Sequence, residues 1–172
     1  MGVVGAILTQ LEKSRSRLEA VLSHVLEANW QQAPRPDAWS PAEVVAHLIS
    51  VEETVTSTAR RLIQNEPRPA PFWKRVRLPV VLVQYRVWRR KTPLPLDRSL
   101  VGPLAGALAR LSDTRGAMRA FLEKNDRRDL SLYRWPHPFL GSLDFYDWFR
   151  LLAHHEIRHA KQIREIIEYF HA

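Results

Sequence analysis

Proline divides this chain before any other residue does. All twelve prolines fall into three groups: Pro34, Pro36 and Pro41; Pro67, Pro69, Pro71, Pro79, Pro93, Pro95 and Pro103; and Pro136 and Pro138. Proline lacks an N–H and clashes with the preceding turn, so a helix accepts it at its first position but not in its interior. Four long proline-free stretches are left, and each carries an apolar repeat close to 3.6 residues.

The first stretch reads as a helix from about Val4 to Ala28, with Ile7, Leu11, Leu18, Leu22 and Leu26 on one stripe. The second has a well-marked start: Ser40 as N-cap, Pro41 at the first position and Glu43 closing a capping box. Its stripe runs Val44, Leu48, Val51, Val55 and Leu62 and stops before Pro67, and Trp39 is placed to staple its start against Val44. The third runs from about Pro103 to Lys124 through Leu104, Leu108, Leu111, Met118 and Leu122. The fourth opens near Asp144, whose charge suits a helix N-terminus, and continues to about Phe170. Residues 66–98 form a proline-rich connection with a short helix expected over Val80–Trp88, and Trp135 to Gly141 reads as a loop. No strand run and no internal repeat stands out. The expectation is an all-α fold: one four-helix-bundle domain over residues 1–172, with a long crossover between the second and third helices.

Composition narrows the chemistry. Of 172 residues, 45% are hydrophobic and 26% charged, which is a globular balance, and no cysteine is present. Disulfides and thiolate metal sites are therefore excluded, and a metal would need histidine nitrogen or carboxylate oxygen. Met1 to Leu8 is apolar but has no basic region before it, so it does not read as a signal peptide. No stretch approaches the roughly 18 apolar residues of a membrane span, and a cytoplasmic, soluble protein is expected. The formal charge is +8, and residues 66–98 hold nine basic against two acidic residues, so they supply +7 of it. The basic character belongs to the crossover, not to the fold.

The fourth helix carries the functional signal. Its stripe reads Phe145, Trp148, Leu152, then Ile163, Ile166 and Phe170, and continuing it through the gap lands on His155, His159 and Gln162. Two histidines four residues apart on one helix face can reach one ion. On the second helix His47 lies between Val44 and Val51 on the buried side. A single core histidine is usually just a hydrogen-bonded core residue, but three desolvated imidazoles on two helices would be costly without a shared cation. His47, His155 and His159 are thus candidate ligands for one divalent metal ion. All-nitrogen ligation suits zinc, nickel or iron, and three ligands leave coordination positions for a reactant. His154 is turned about 100° from His155, in a row with Asp147, Arg150, Arg158 and Lys161 that reads as solvated. Glu52, Glu53 and Glu156 lie near the ligands and could act as a base or as acceptors for ligand N–H groups, although solvated helix faces are the preferred reading. His24 and His171 read as surface, and His137, in Trp135-Pro136-His137-Pro138, as a residue that shapes a loop. Trp30, Trp39, Trp135 and Trp148 lie near helix ends, where a ring edge can line a pocket.

Two segments carry a family resemblance. Ala38-Trp39-Ser40-Pro41-Ala42-Glu43-Val44-Val45-Ala46-His47-Leu48 is one. The other is His137-Pro138-Phe139-Leu140-Gly141 leading through Trp148 to His155-Glu156-Ile157-Arg158-His159-Ala160-Lys161-Gln162-Ile163. In order and spacing, over essentially the whole chain, they resemble the DinB-like superfamily of metalloproteins, also called DinB/YfiT-like. The resemblance implies a four-helix bundle with a long crossover and a metal site at one end, built from one histidine of helix two and two of helix four. By position these are again His47, His155 and His159. It also implies thiol-dependent S-transferase or metal-dependent hydrolase chemistry.

Three readings follow. The leading one is a metalloenzyme whose ion activates a low-molecular-weight thiol or a water for attack on a small electrophilic substrate. The second is a non-catalytic metal-binding protein. The third is binding of nucleic acid or a membrane surface through Trp73, Lys74, Arg75, Arg77, Tyr85, Trp88, Arg89, Arg90 and Lys91, where arginine alternates with aromatics. A solvated crossover or a homodimer contact is preferred for that segment, because no DNA-binding fold motif accompanies it.

Overall fold

The computed structural model describes residues 2–67, 79–84 and 101–172. Four helices dominate: α1 (Val3–Leu22), α2 (Pro41–Leu62), α3 (Leu104–Lys124) and α4 (Phe145–His171). The predicted start of α2 is present in full. Ser40 Oγ accepts from the Glu43 N–H at 3.2 Å, and Glu43 Oε2 accepts from the Ser40 N–H at 2.9 Å. Asp144 caps α4 by accepting from the Asp147 N–H at 2.9 Å.

Helix α1 ends six residues earlier than its stripe implied. Hydrogen bonds from His24 N to Val21 O and from Val25 N to Leu22 O tighten the chain into i−3 geometry. The tighter turn rotates Val25 into the core and leaves Leu26 outside, 58% exposed. A similar phase shift in α3 buries Ala107 and leaves Leu108 exposed.

The expected loop at Trp135 to Gly141 is instead an antiparallel hairpin of β1 (Arg134–His137) and β2 (Gly141–Asp144), in register Arg134↔Asp144 and His137↔Gly141. Its strands are too short to show a period, and Pro136 argues against strand by propensity. A two-stranded ribbon is all edge, however, so a missing N–H is tolerated there. Gly141, at φ 81°, makes the turn that the reversal needs.

Pairings between helices fix the topology. Glu53 meets Arg110, and Arg60 meets the Ala117 carbonyl, both offset by 57 residues, so α2 and α3 run parallel. Parallel neighbours require the long crossover that was predicted. Helix α4 packs on both α1 and α2, and α2 on α3. Two apolar clusters result. One joins Val4, Ile7 and Leu11 of α1 with Phe145, Phe149 and Leu152 of α4, Val55 and Ala59 of α2, and Met118 and Leu122 of α3. The other joins Leu18, Val21 and Leu22 with Ala160, Ile163 and Ile166, Val44, Val45 and Ile49, and Ala107 and Leu111. Helices α1 and α4 therefore also run parallel, and antiparallel to the other two.

Between the clusters lies a layer of buried charge to which each of the four helices contributes. Glu156 accepts from Ser14 Oγ at 2.5 Å, from Arg15 Nε at 2.8 Å and from Arg115 Nη2 at 3.1 Å. Glu52 accepts from Arg115 Nε at 3.0 Å and Nη2 at 3.1 Å, and more distantly from Arg15 at 3.4 Å. The remaining arginine donors go to the carbonyls of Leu111 and Leu11. Burial works against the Arg115 charge, but the hydrogen bond and charge of Glu52, together with Glu156, outweigh it and raise its pKa. This corrects the expectation for two of the three carboxylates. Glu52 and Glu156 are 4% and 2% exposed, whereas Glu53 pairs with Arg110 on the surface as expected.

Of the crossover, Val80–Gln84 is a 3-10 helix lying on α4, with Val80 and Val83 against the first apolar cluster. Arg158 and Lys161, expected in a solvated row, donate to the carbonyls of Val83 and Gln84 at 3.5 and 3.3 Å. Asp147 of that row is buried. The expected continuation to Trp88 and the charged residues proposed to bind nucleic acid or membrane lie outside the described residues. No helix among the described residues is long and apolar enough to cross a membrane.

The layered core makes a quantitative prediction. Arg115→Ala or Glu156→Ala strands a buried charge and should lower the unfolding free energy by about 3–5 kcal/mol. Arg110→Ala removes only the exposed pair and should cost less than about 1 kcal/mol. Urea unfolding of the three variants compares these values, and equal small losses would show that the layer does not hold the bundle together.

Candidate metal centre

The three predicted histidines meet on the seam between α2 and α4. His47 stands in the second turn of α2, opposite His155 and His159 on successive turns of α4. The Nε2 atoms of His47 and His155 are 3.3 Å apart, those of His155 and His159 are 3.1 Å apart, and ligand atoms of all three lie within 4.8 Å of one another. Ring centroids are separated by 4.5–5.1 Å, with the planes steeply inclined. The cluster sits on that seam beside the buried charge layer, with His47 near the N-terminal end of α2.

The 3.1 and 3.3 Å separations fit a shared cation. Nitrogens bound to zinc at about 2.0–2.1 Å in a tetrahedron stand roughly 3.3 Å from each other. Hydrogen bonding alone serves the trio poorly. Gln162 Oε1 lies 3.0 Å from His159 Nδ1. When that nitrogen donates to it, His159 Nε2 retains only a lone pair. His155 Nε2 then faces two other ring nitrogens, and its one hydrogen cannot satisfy both. A metal ion accepts a lone pair from each ring. Gln162, which the stripe already placed on the core side, thus sets the tautomer that a ligand requires. Trp39 walls the cluster, with its ring 5.0 Å from His47 and stacked 6.4 Å from His159.

Burial also favours the metal-binding protonation state. His47 is 4% exposed, and burial lowers its pKa to about 4. His155 and His159 are held well below the usual imidazole value, first by burial and then by the charges of neighbouring histidines and Arg158, against which the Gln162 hydrogen bond raises His159 only partly. The rings are neutral at neutral pH and need lose no proton to coordinate a cation.

The other histidines do not join them. His154 is half-buried, where a solvated position was expected; its Nδ1 is enclosed without a hydrogen-bond partner among the described residues, and it stays outside the cluster. His24 and His171 are exposed, as read from the sequence. His137 caps the hairpin turn and lies 5.2 Å from the Trp148 ring. Neither Glu52 nor Glu156 points its carboxylate at the trio, since their oxygens are taken up by Arg15, Arg115 and Ser14. Arg15 and Arg115 were missed in the sequence, although the seven-residue steps from Leu11 to Leu18 and from Leu111 to Met118 skip over them.

A sequence profile of the DinB superfamily matches residues 10–163. The chain belongs to the DinB superfamily. YuaE of Bacillus subtilis (strain 168) is 26% identical to this chain over 162 residues, covering 90% of this chain and 94% of YuaE. The crystal structure of TT2238, described as a four-helix bundle protein, aligns with a TM-score of 0.62 at 26% identity, covering 94% of this chain and 98% of the other. YfiT from Bacillus subtilis, described as a probable metal-dependent hydrolase with an unusual four-helix bundle topology, aligns with a TM-score of 0.67 at 17% identity, covering 98% and 87%. These likenesses bear out the four-helix bundle, and the superfamily match bears out the family resemblance.

The lowered histidine pKa values have a testable sign. Unfolded chain takes up protons near pH 6.5 and the folded protein only near 4 at His47, so stability present above 6.5 is lost as pH falls toward 4. With a chelator present to keep the protein metal-free, His47 alone should cost roughly 2 kcal/mol of unfolding free energy between pH 7 and pH 5. Denaturant titrations at the two pH values test this, and His47→Gln should reduce the difference by about that amount, leaving the part due to His155 and His159. A profile that is already flat in the wild-type protein would contradict the burial argument.

Proposed function

We propose that His47, His155 and His159 bind one divalent metal ion, zinc, nickel or iron, and that the centre is catalytic toward a small electrophilic substrate. The observation that carries this reading is the convergence of three neutral Nε2 atoms at 3.1 and 3.3 Å on a seam between two helices. An ion held by these three residues would supply Lewis acidity for activating a water or a small thiol as nucleophile. Three protein ligands leave room for that reactant, as in catalytic rather than structural sites.

The chain's own residues have separable roles. His47 comes from one helix and the pair from another, so the residues that would hold the ion span α2 and α4. Gln162 orients His159, and Trp39 covers one side of the imidazoles with an apolar ring. Glu52 and Glu156 are not general bases in this reading, because their lone pairs are engaged by arginine and serine. Their task is to fix the rotation of the two ligand helices. The description of YfiT as a probable metal-dependent hydrolase supports the water-activating form. The thiol-dependent form rests on the same open coordination and differs only in the nucleophile.

Metal content provides the first test. His47→Ala, His155→Ala and His159→Ala should each lose most of the bound ion, while His154→Ala should keep it, by elemental analysis of untagged protein after gel filtration. Equal loss in all four would refute the assignment of ligands. Metal-loaded protein should then hydrolyse activated esters or amides, or conjugate a small thiol to an electrophile, and His47→Ala should abolish turnover and metal together. Full metal occupancy with no turnover in either assay would leave a non-catalytic metal-binding protein.

A further inference from the structure

His137 does more at this site than shape a turn. Its Nδ1 accepts hydrogen bonds from the N–H groups of Phe139 at 3.1 Å and Leu140 at 3.2 Å. Two donors aimed at one ring nitrogen leave no place for a proton on it, so in the neutral ring the hydrogen sits on Nε2. The tautomer is set by the hairpin backbone. The opposite edge of the ring carries a fixed N–H and cannot ligate a metal without losing it.

Its location gives that N–H a target. The ring packs 5.2 Å from Trp148, which is itself stacked on Trp135 at 5.1 Å and bonded through Nε1 to the Trp135 carbonyl. Trp148 precedes His155 by seven residues, which is close to two full helical turns, so both lie on one face of α4. The hairpin therefore sets an imidazole over the ligand-bearing face of α4, just N-terminal of the metal centre. Burial lowers its pKa to about 4, so it stays neutral at neutral pH.

We propose that His137 is a hydrogen-bond donor of the metal centre, presenting Nε2–H to a small anionic ligand that enters the open coordination positions from the hairpin side. This rests on the metal-binding reading above. It assigns the hairpin a part in binding the reactant, for which a thiolate or a carboxylate-like group is the matching chemistry. A donor fixed in tautomer and direction favours an anion over a neutral ligand and needs no reorganisation when the anion arrives.

The probes are cobalt(II), whose visible absorption reports its coordination, and azide as the anion. His137→Asn retains a short acceptor for the turn, as asparagine does in similar turns, but removes the distal N–H. His137→Gln places an amide N–H near the distal position and gives up the turn acceptor. The His137→Asn protein should bind cobalt at wild-type stoichiometry and melt near the wild-type temperature, with azide affinity reduced about tenfold or more. The His137→Gln protein should melt lower yet recover much of the azide affinity. Wild-type azide affinity in the Asn variant would overturn the proposal and leave His137 a turn cap. Loss of cobalt from that variant would also overturn it, because His137 would then be needed to hold the ion. Failure of the wild-type protein to take up cobalt would instead strike the metal reading itself, and the proposal with it. A measurement on unmutated protein covers the case in which a variant does not fold. Histidine nitrogen NMR of zinc-loaded protein should show the Nε2–H tautomer at His137, with its resonance moving on azide addition, and an unmoved resonance would refute the donor role.

Discussion

The buried layer formed by Arg15, Glu52, Arg115 and Glu156 is the constraint on which the rest of this bundle depends. Two arginines and two glutamates cancel in charge, and their hydrogen bonds cross from each helix to others. Apolar packing alone tolerates rotation or sliding of a helix, since one leucine contact resembles the next. A guanidinium that must meet two carboxylates and a named carbonyl does not. Desolvating four ions is expensive, and such a layer is often no more stable than an apolar one of the same volume. What it fixes here is register. Glu156 is the immediate neighbour of His155, and Glu52 lies little more than one turn beyond His47. Locking the two carboxylates therefore sets the angle at which both ligand helices present their imidazoles.

The histidine cluster and the charge layer show two outcomes of putting polar groups in a core. Arginines answer the glutamates at 2.8–3.1 Å. Among the described residues the histidines have no such anionic partners, and burial favours their neutral form instead. Neutral rings with converging lone pairs are what a cation needs, so the absence of a carboxylate beside them favours binding. Had Glu156 turned toward His155, the rings would have tended to stay protonated.

Much of this was legible in the residues themselves. Capping at Ser40, the four stripes and the proline pattern led to the helices, and His47, His155 and His159 stood out because each interrupts a stripe without leaving its face. The same reasoning applies to Glu52, Arg15 and Arg115, which also occupy stripe positions. It failed there because a charged residue on a stripe is normally read as the edge of the apolar face, and only the tertiary pairing shows otherwise. The hairpin was missed for a different reason. Strands of four residues carry too few alternations to be seen, and Pro136 and Pro138 pointed the other way. The positions of Leu26 and Leu108 were misjudged because a single tight turn or a small rotation moves a whole side chain across the boundary of the core.

The parallel arrangement of α1 with α4 and of α2 with α3 also bears on how the chain reaches its folded state. His47 and His155 are separated by 108 residues, and Ser14 and Glu156 by 142. Apart from the contacts of His159 with His155 and Gln162 inside α4, none of the pairings that define the centre or complete the charge layer on α4 is local, and parallel neighbours cannot zip together from a short turn. Loop-closure entropy must be met before these contacts repay it, which slows folding relative to a bundle of consecutive hairpins. Until α4 docks, Arg15 and Arg115 share a single carboxylate, and His47 has no second imidazole beside it. Neutralisation of the core and assembly of the three nitrogens are thus one event. A metal ion would consequently act as a lock on the finished bundle, not as a template around which it forms.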